Sequence, residues 1–152
     1  MVKPHSKDLR IGRASLPGQV YLITTVVSRR REVFRDLMAA RELIAALRYQ
    51  HEVGNARTLA FVVMPDHLYW LMELGDRLPF SEVVGTVKAY SGRRLRRLAH
   101  DGGRLWQAGF HDHAVRAEED LRALARYVIY NPVRSGLAES VRDYPHWDAI
   151  WV

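Results

Sequence analysis

Two apolar runs separated only by Pro65-Asp66 constrain this chain more than any other feature: residues 58–64 (TLAFVVM) and 67–74 (HLYWLMEL). The first is apolar on both faces, which predicts a central strand. The second alternates. Side chains on a strand point to opposite faces in turn, so Leu68, Trp70, Met72 and Leu74 share one face, expected to be the core. His67, Tyr69, Leu71 and Glu73 share the other.

The rest of the chain supplies partners for these strands. Residues 19–28 (QVYLITTVVS) are rich in β-branched and aromatic side chains and predict another strand. Asp36 is placed to cap a helix to about residue 51, with Leu37, Ala40, Leu43, Ile44 and Leu47 on one stripe. Ser81 is expected to cap a second helix carrying Val83, Val84, Val87, Leu95 and Leu98, stopped by Gly102-Gly103. Residues 105–115 predict a fourth extended segment. Residues 118–131 predict a third helix, with acids in its first turn and Pro132 at its end. The order β-α-β-β-α-β-α fits an α+β, ferredoxin-like four-stranded antiparallel sheet with helices on one face. No repeat or linker divides the chain. The expectation is a single domain over residues 1–152, with a core at about 18–137 and a tail at 138–152, whose Tyr144, Trp147 and Trp151 dock on the surface.

Composition narrows the chemistry. Cysteine is absent, which excludes disulfides, thiolate metal sites and cysteine nucleophiles. The residues before 13 have no apolar stretch resembling a signal peptide, and no apolar run is long enough to span a bilayer. A cytoplasmic protein with no membrane partner is expected. The net charge is +6, and 20 of the 23 basic residues are arginine. Arginine forks phosphate oxygens and stacks on bases, so this bias suits nucleic acid, although a GC-rich genome also favours arginine codons. Arg93, Arg94, Arg96 and Arg97 form one basic cluster, and Arg29, Arg30 and Arg31 another. Trp70, Tyr90, Trp106 and Phe110 could stack on bases but are mostly expected in the core.

His67, projected opposite the core face, is a candidate ligand or base; the alternative is a structural hydrogen bond. Tyr127 and Asn131 lie four residues apart on the flank of the last helix's apolar stripe (Leu121, Leu124, Ala125, Val128, Ile129). Tyr130 points nearly opposite that stripe and is expected to be wetter. A tyrosine with an amide one turn away could be a nucleophile beside a metal ligand, or simple packing. His111 and His113 form a second histidine pair on one strand face, a candidate metal pair lacking a third ligand.

These motifs resemble a known family. VVMPDHLYWLM is similar to the VMPxHxHxLL stretch of one-tyrosine HUH transposases. LWQAGFHDHAVRAEEDLRALARYVIYNPVRSGL is similar to the Trp-Gln, Phe-His-Asp-His, Tyr and Asn-Pro succession of their REP-associated branch. The resemblance runs from about residue 18 to 137. It implies an HUH endonuclease domain that cuts single-stranded hairpin DNA and keeps a 5′-phosphotyrosine link, with Mg²⁺ or Mn²⁺ polarising the phosphate. Residue by residue, it implies Tyr127 as nucleophile, His67 as the first histidine of the HUH pair and Asn131 as the amide ligand. Tyr69 stands where the family has its second histidine. A neutral phenol is a poor ligand for Mg²⁺ or Mn²⁺, so the resemblance implies either a weakened nuclease or a hairpin DNA- or RNA-binding module that no longer cuts. A monomer is expected, because the tail leaves little chain for a swapped arm.

Overall fold

The computed structural model describes residues 16–98, 104–116 and 119–150. Its centre is the hairpin read from the sequence. Strand β2 (Ala56–Met64) and strand β3 (His67–Leu74) run antiparallel with Met64 opposite His67, so Pro65 and Asp66 alone make the turn. Strand β1 (Val20–Val26) pairs antiparallel with the other edge of β3, Val26 opposite His67 and Thr24 opposite Tyr69. Strand β4 (His111–Ala114) adds to β1, and strand β5 (Trp147–Ala149) adds to β2. The sheet order is β4-β1-β3-β2-β5.

The fifth strand is one strand more than the order of apolar runs predicts. Three residues carry too little periodicity to read as a strand; they pair because the edge of β2 would otherwise be open. Tyr144 and Trp147 dock as expected, the Tyr144 hydroxyl donating to the Val63 carbonyl at 2.6 Å and the Trp147 indole to the Val141 carbonyl at 2.9 Å. Trp151 lies outside the described residues.

Helix α1 (Leu37–Glu52) and helix α2 (Phe80–Arg94) cover one face of the sheet. There Tyr21, Ile23, Phe61, Val63, Leu68, Trp70 and Met72 meet Leu43, Leu47, Phe80, Val83 and Val87 in the larger core. Helix α3 (Leu121–Ile129) instead lies on the opposite face, packing Ala125, Val128 and Ile129 on Ala60, Val62 and Leu71. Helices on one face only is therefore corrected. The reason is legible in β2, whose apolar residues point both ways and need cover on both sides.

Local signals held to different degrees. Asp36 caps α1, its carboxylate accepting from the Met38 and Ala39 amides at 2.9 and 3.1 Å. Leu37, however, is exposed, and Ala39 and Gln50 join the buried stripe. The N-cap of α2 is Pro79, with Ser81 inside the first turn. That helix ends at Arg94, followed by a short 3₁₀ turn at Arg96–Leu98, while Gly102-Gly103 lies outside the described residues. Only His111–Ala114 of the segment 105–115 joins the sheet as a strand; Trp106 makes a single bridge to Val27. Helix α3 starts later than expected because Asp120 is its cap, accepting from the Arg122 and Ala123 amides, and Glu119 precedes it. It stops at Ile129, and a one-turn helix α4 (Asn131–Arg134) follows with Pro132 in its first turn.

Candidate functional site

The face of the sheet under α3 carries the candidate residues. On β3 the alternation holds: Leu68, Trp70, Met72 and Leu74 are buried under α1 and α2, and His67, Tyr69 and Leu71 look the other way. The His67 and Tyr69 rings meet edge to face with centroids 5.0 Å apart. Tyr69 in turn meets Tyr127 of α3 edge to face at 6.5 Å. Tyr69 thus bridges the histidine and the tyrosine that the sequence singles out, within one chain.

Exposure does not separate the two helix tyrosines, contrary to expectation: Tyr127 is 50 % and Tyr130 47 % exposed. Contact does. Tyr127 touches Tyr69 and carries the Arg134 guanidinium over its ring, 4.0 Å from the centroid. Tyr130 sits at the break between α3 and α4. Asn131 follows that break, and its side-chain nitrogen is buried with no hydrogen-bond partner. An amide turned over would bring its oxygen to the same place, so Asn131 holds an uncommitted polar group beside the candidate tyrosine.

His67 is held from behind. Its Nδ1 lies 2.6 Å from Oδ1 of Asp66. An ionised carboxylate only accepts, so Nδ1 carries a proton, and in the neutral ring it is Nε2 that keeps the lone pair. Arg30 approaches the other carboxylate oxygen at 3.4 Å. Arg29 and Arg30 both have positive φ (59° and 50°), a backbone region that side chains other than glycine rarely adopt. This turn leaves β1 beside the Pro65-Asp66 turn, and the Val27 amide donates to the Asp66 carbonyl at 2.8 Å. The sequence reading passed over Asp66. Its signal was its place in the two-residue turn, next to the histidine it orients.

The basic clusters fare differently. The Arg31 guanidinium donates to the carbonyls of Ser28, Leu98 and Arg104, so it staples the β1 exit to the 3₁₀ turn that follows α2 and to the chain at Arg104. Arg94 forms a forked pair with Glu42, at 3.1 and 3.2 Å, and Arg97 lies 3.9 Å from Asp36. Arg93 and Arg96 are exposed and have no carboxylate partner among the described residues. Arg93–Arg97 belong to the helical layer opposite Tyr127, but the Arg31 staple joins that layer's end to the turn beside Asp66. Trp70 and Trp106 are buried, and Phe110 packs edge-on against Phe80, 5.7 Å between centroids.

His111 and His113 share the face of His67 and Tyr69 but stand on the edge strand. His111 is opposite Thr24, which is opposite Tyr69, so two strand spacings of about 5 Å intervene. His113 Nε2 is engaged by both oxygens of Glu119, at 3.0 and 3.1 Å. Glu119 also accepts from the Arg116 amide, and these contacts, the amide first, hold its carboxyl below the usual range. Among the described residues no three His, Asp or Glu side chains gather as a metal cluster.

Known proteins share both sequence and fold with this chain. A REP-associated tyrosine transposase of Escherichia coli K12 is 32 % identical over 90 residues, which cover 57 % of this chain and 50 % of that protein. A Haemophilus influenzae protein described as a "putative REP-associated tyrosine transposase" is 28 % identical over 141 residues, covering 85 % of this chain and 78 % of the relative. A REP-associated tyrosine transposase solved with a REP hairpin superposes with a TM-score of 0.74 at 22 % identity, over 97 % of this chain and 82 % of that one. A Deinococcus radiodurans crystal structure described as a "putative transposase" gives 0.55 at 22 % identity, over 86 % and 97 %. The likeness in structure agrees with the α+β antiparallel sheet. The family described as IS200-like transposases matches residues 17–131, four strands and three helices of the fold with Tyr127 and Asn131 included, and the chain belongs to that family.

Proposed function

We propose that this chain binds a single-stranded DNA hairpin and is built to cut the strand beside it through Tyr127, with an activity weakened by Tyr69. The observation that carries the reading is the ring contact between Tyr127 and Tyr69, which sets the candidate nucleophile over the strand face of His67. Attack by the Tyr127 hydroxyl oxygen on the scissile phosphorus forms the Oη–P bond and breaks the bond from phosphorus to the 3′ oxygen. The phenol gives up its proton, and the departing 3′ oxygen takes one up. The phosphodiester charge and bond energy are conserved in the phosphotyrosine link, so rejoining needs no nucleotide cofactor.

The donors fit a divalent cation shared with DNA better than a closed protein cage. His67 offers Nε2 because Asp66 engages Nδ1, and Asn131 offers an uncommitted amide. Mg²⁺ and Mn²⁺ commonly complete such sets with phosphate oxygens and water, Mn²⁺ tolerating the nitrogen better. Bound there, the ion would withdraw charge from the scissile phosphate. His67 and Tyr127 meet through Tyr69 of the same chain, so a monomer suffices.

A second reading, a hairpin-binding module that does not cut, is favoured by Tyr69 itself, a phenol where a nitrogen ligand is expected. Incubation with a REP-type hairpin carrying a single-stranded flank and Mn²⁺, followed by denaturing electrophoresis, tests the two. A covalent protein–DNA adduct supports cleavage. Tight binding without an adduct supports the module.

A further inference from the structure

Tyr127, Asn131 and Arg134 are spaced i, i+4 and i+7, so they fall on one helical stripe. The break at Tyr130 scarcely disturbs this. The Tyr130 amide still donates to the Arg126 carbonyl and the Arg134 amide to the Tyr130 carbonyl, both at 2.9 Å. Helical side chains lean toward the N-terminus. Arg134 therefore reaches back over the turn below it. Its guanidinium lies 4.0 Å above the Tyr127 ring, and one Nη donates to the Tyr127 carbonyl.

This arginine differs from those that are locally neutralised. Arg30, Arg35, Arg94 and Arg97 each lie within 4 Å of a carboxylate. Among the described residues Arg134 has no such partner, and it is exposed. A guanidinium has five N–H donors in a rigid fork. The ring and the carbonyl fix the plane of this one while leaving most of its donors open. A planar cation held in this way over the tyrosine ring is pre-organised for a phosphodiester that meets that ring's hydroxyl.

We propose that Arg134 is the phosphate clamp of Tyr127: it fixes the ring and offers its remaining N–H groups to the phosphodiester that the tyrosine meets. The proposal rests on the reading of Tyr127 as nucleophile for its catalytic meaning, but not for the phosphate contact itself. A cation at a helix C-terminus also complements the helix dipole, and that purely structural role predicts an effect on folding and none on DNA.

The test uses Arg134→Gln, which keeps an N–H donor for the Tyr127 carbonyl and removes the charge, and Arg134→Lys, which keeps the charge without the fork. Binding of a fluorescein-labelled DNA hairpin with a single-stranded 5′ flank is followed against salt in the non-cutting Tyr127→Phe protein, whose ring still stacks. Adding Arg134→Gln is expected to lower the slope of log K against log salt by about 1, with Arg134→Lys close to the parent. Where Tyr127 forms an adduct, Arg134→Gln is expected to slow single-turnover adduct formation at saturating DNA by at least about tenfold, partly restored by Arg134→Lys. An unchanged salt slope in a folded Arg134→Gln protein overturns the clamp. A lowered slope with no adduct from any variant supports the phosphate contact and counts against the cleavage reading alone.

Discussion

Oδ1 of Asp66 lies 2.6 Å from Nδ1 of His67, closer than most neutral hydrogen bonds. The contact fixes which ring nitrogen faces the candidate site. Partners of this kind orient metal-binding imidazoles, and losing one typically costs 10–100-fold in affinity or activity. Asp66→Ala is expected to lower Mn²⁺ affinity in the DNA complex by about tenfold or more. Asp66→Asn, which keeps an acceptor, is expected to lose less. The ¹⁵N spectrum of His67 checks the cause, showing the Nδ1–H tautomer in the parent and a mixture in Asp66→Ala. The same tautomer in both proteins would sink this account.

Tyr127 and Tyr130 are almost equally exposed, so their roles rest on what they touch. Tyr127→Phe is expected to abolish any covalent adduct while leaving hairpin affinity within a few fold. Tyr130→Phe is expected to keep the adduct. The reverse pattern on a denaturing gel would reject the assignment.

The arginines are expected to separate into binders and staples. Arg96 has no carboxylate partner among the described residues, whereas Arg31 holds three carbonyls. Arg96→Gln is expected to lower the salt slope of DNA binding by about 1 without changing stability. Arg31→Gln is expected to cost about 1–2 kcal/mol in urea unfolding. A slope that responds to Arg31 and ignores Arg96 would refute this division.

The Tyr144 hydroxyl donates to the Val63 carbonyl, and burial pushes its phenol up to about 12. An unfolded phenol ionises at about 10. Above that pH the unfolded chain binds fewer protons than the folded one, so this group's contribution is full below pH 10 and is lost as pH rises toward 12. Tyr144→Phe is expected to cost about 1 kcal/mol at pH 7. The difference between the two proteins should narrow from pH 9 to pH 11 in denaturant unfolding. A constant difference would show that the shift is not coupled to folding.

The sequence made the centre of the fold legible and left its edges obscure. In β3 alternation assigned every side chain to a face, because a half-buried strand has only two choices. In α3 the apolar stripe fixed which residues pack, but the face of the sheet it would cover was written in β2, four elements earlier. Strand β5 was invisible because pairing with an open edge needs backbone more than side chains. In the site, Tyr127, His67 and Asn131 were visible as residue types at telling spacings. Asp66 and Arg134 were not, because each acts by touching another residue. The Tyr127-Asn131-Arg134 spacing was the available clue to the second.

Tyr69 is the departure on which activity is expected to turn. It stands on the same strand face as His67, with rings 5.0 Å apart, and its other side meets Tyr127 at 6.5 Å. A neutral phenol there donates little to Mg²⁺ or Mn²⁺, whereas an imidazole would supply nitrogen two residues from His67. Loss of a direct ligand should cost at least as much as loss of a residue that orients one, about 10–100-fold. The chain as it stands is therefore expected to bind the hairpin and to cut it weakly or not at all. Tyr69→His is expected to tighten Mn²⁺ binding and to raise adduct formation by at least about tenfold, with hairpin affinity in the absence of metal unchanged. The smaller imidazole also gives up part of the ring contact that seats Tyr127, so stability should fall slightly while activity rises. Calorimetric Mn²⁺ titration and adduct formation, measured side by side on both proteins, check this. Equal metal affinity and equal cleavage would mean that Tyr69 is packing under Tyr127, and that His67, Asn131, water and phosphate are ligands enough.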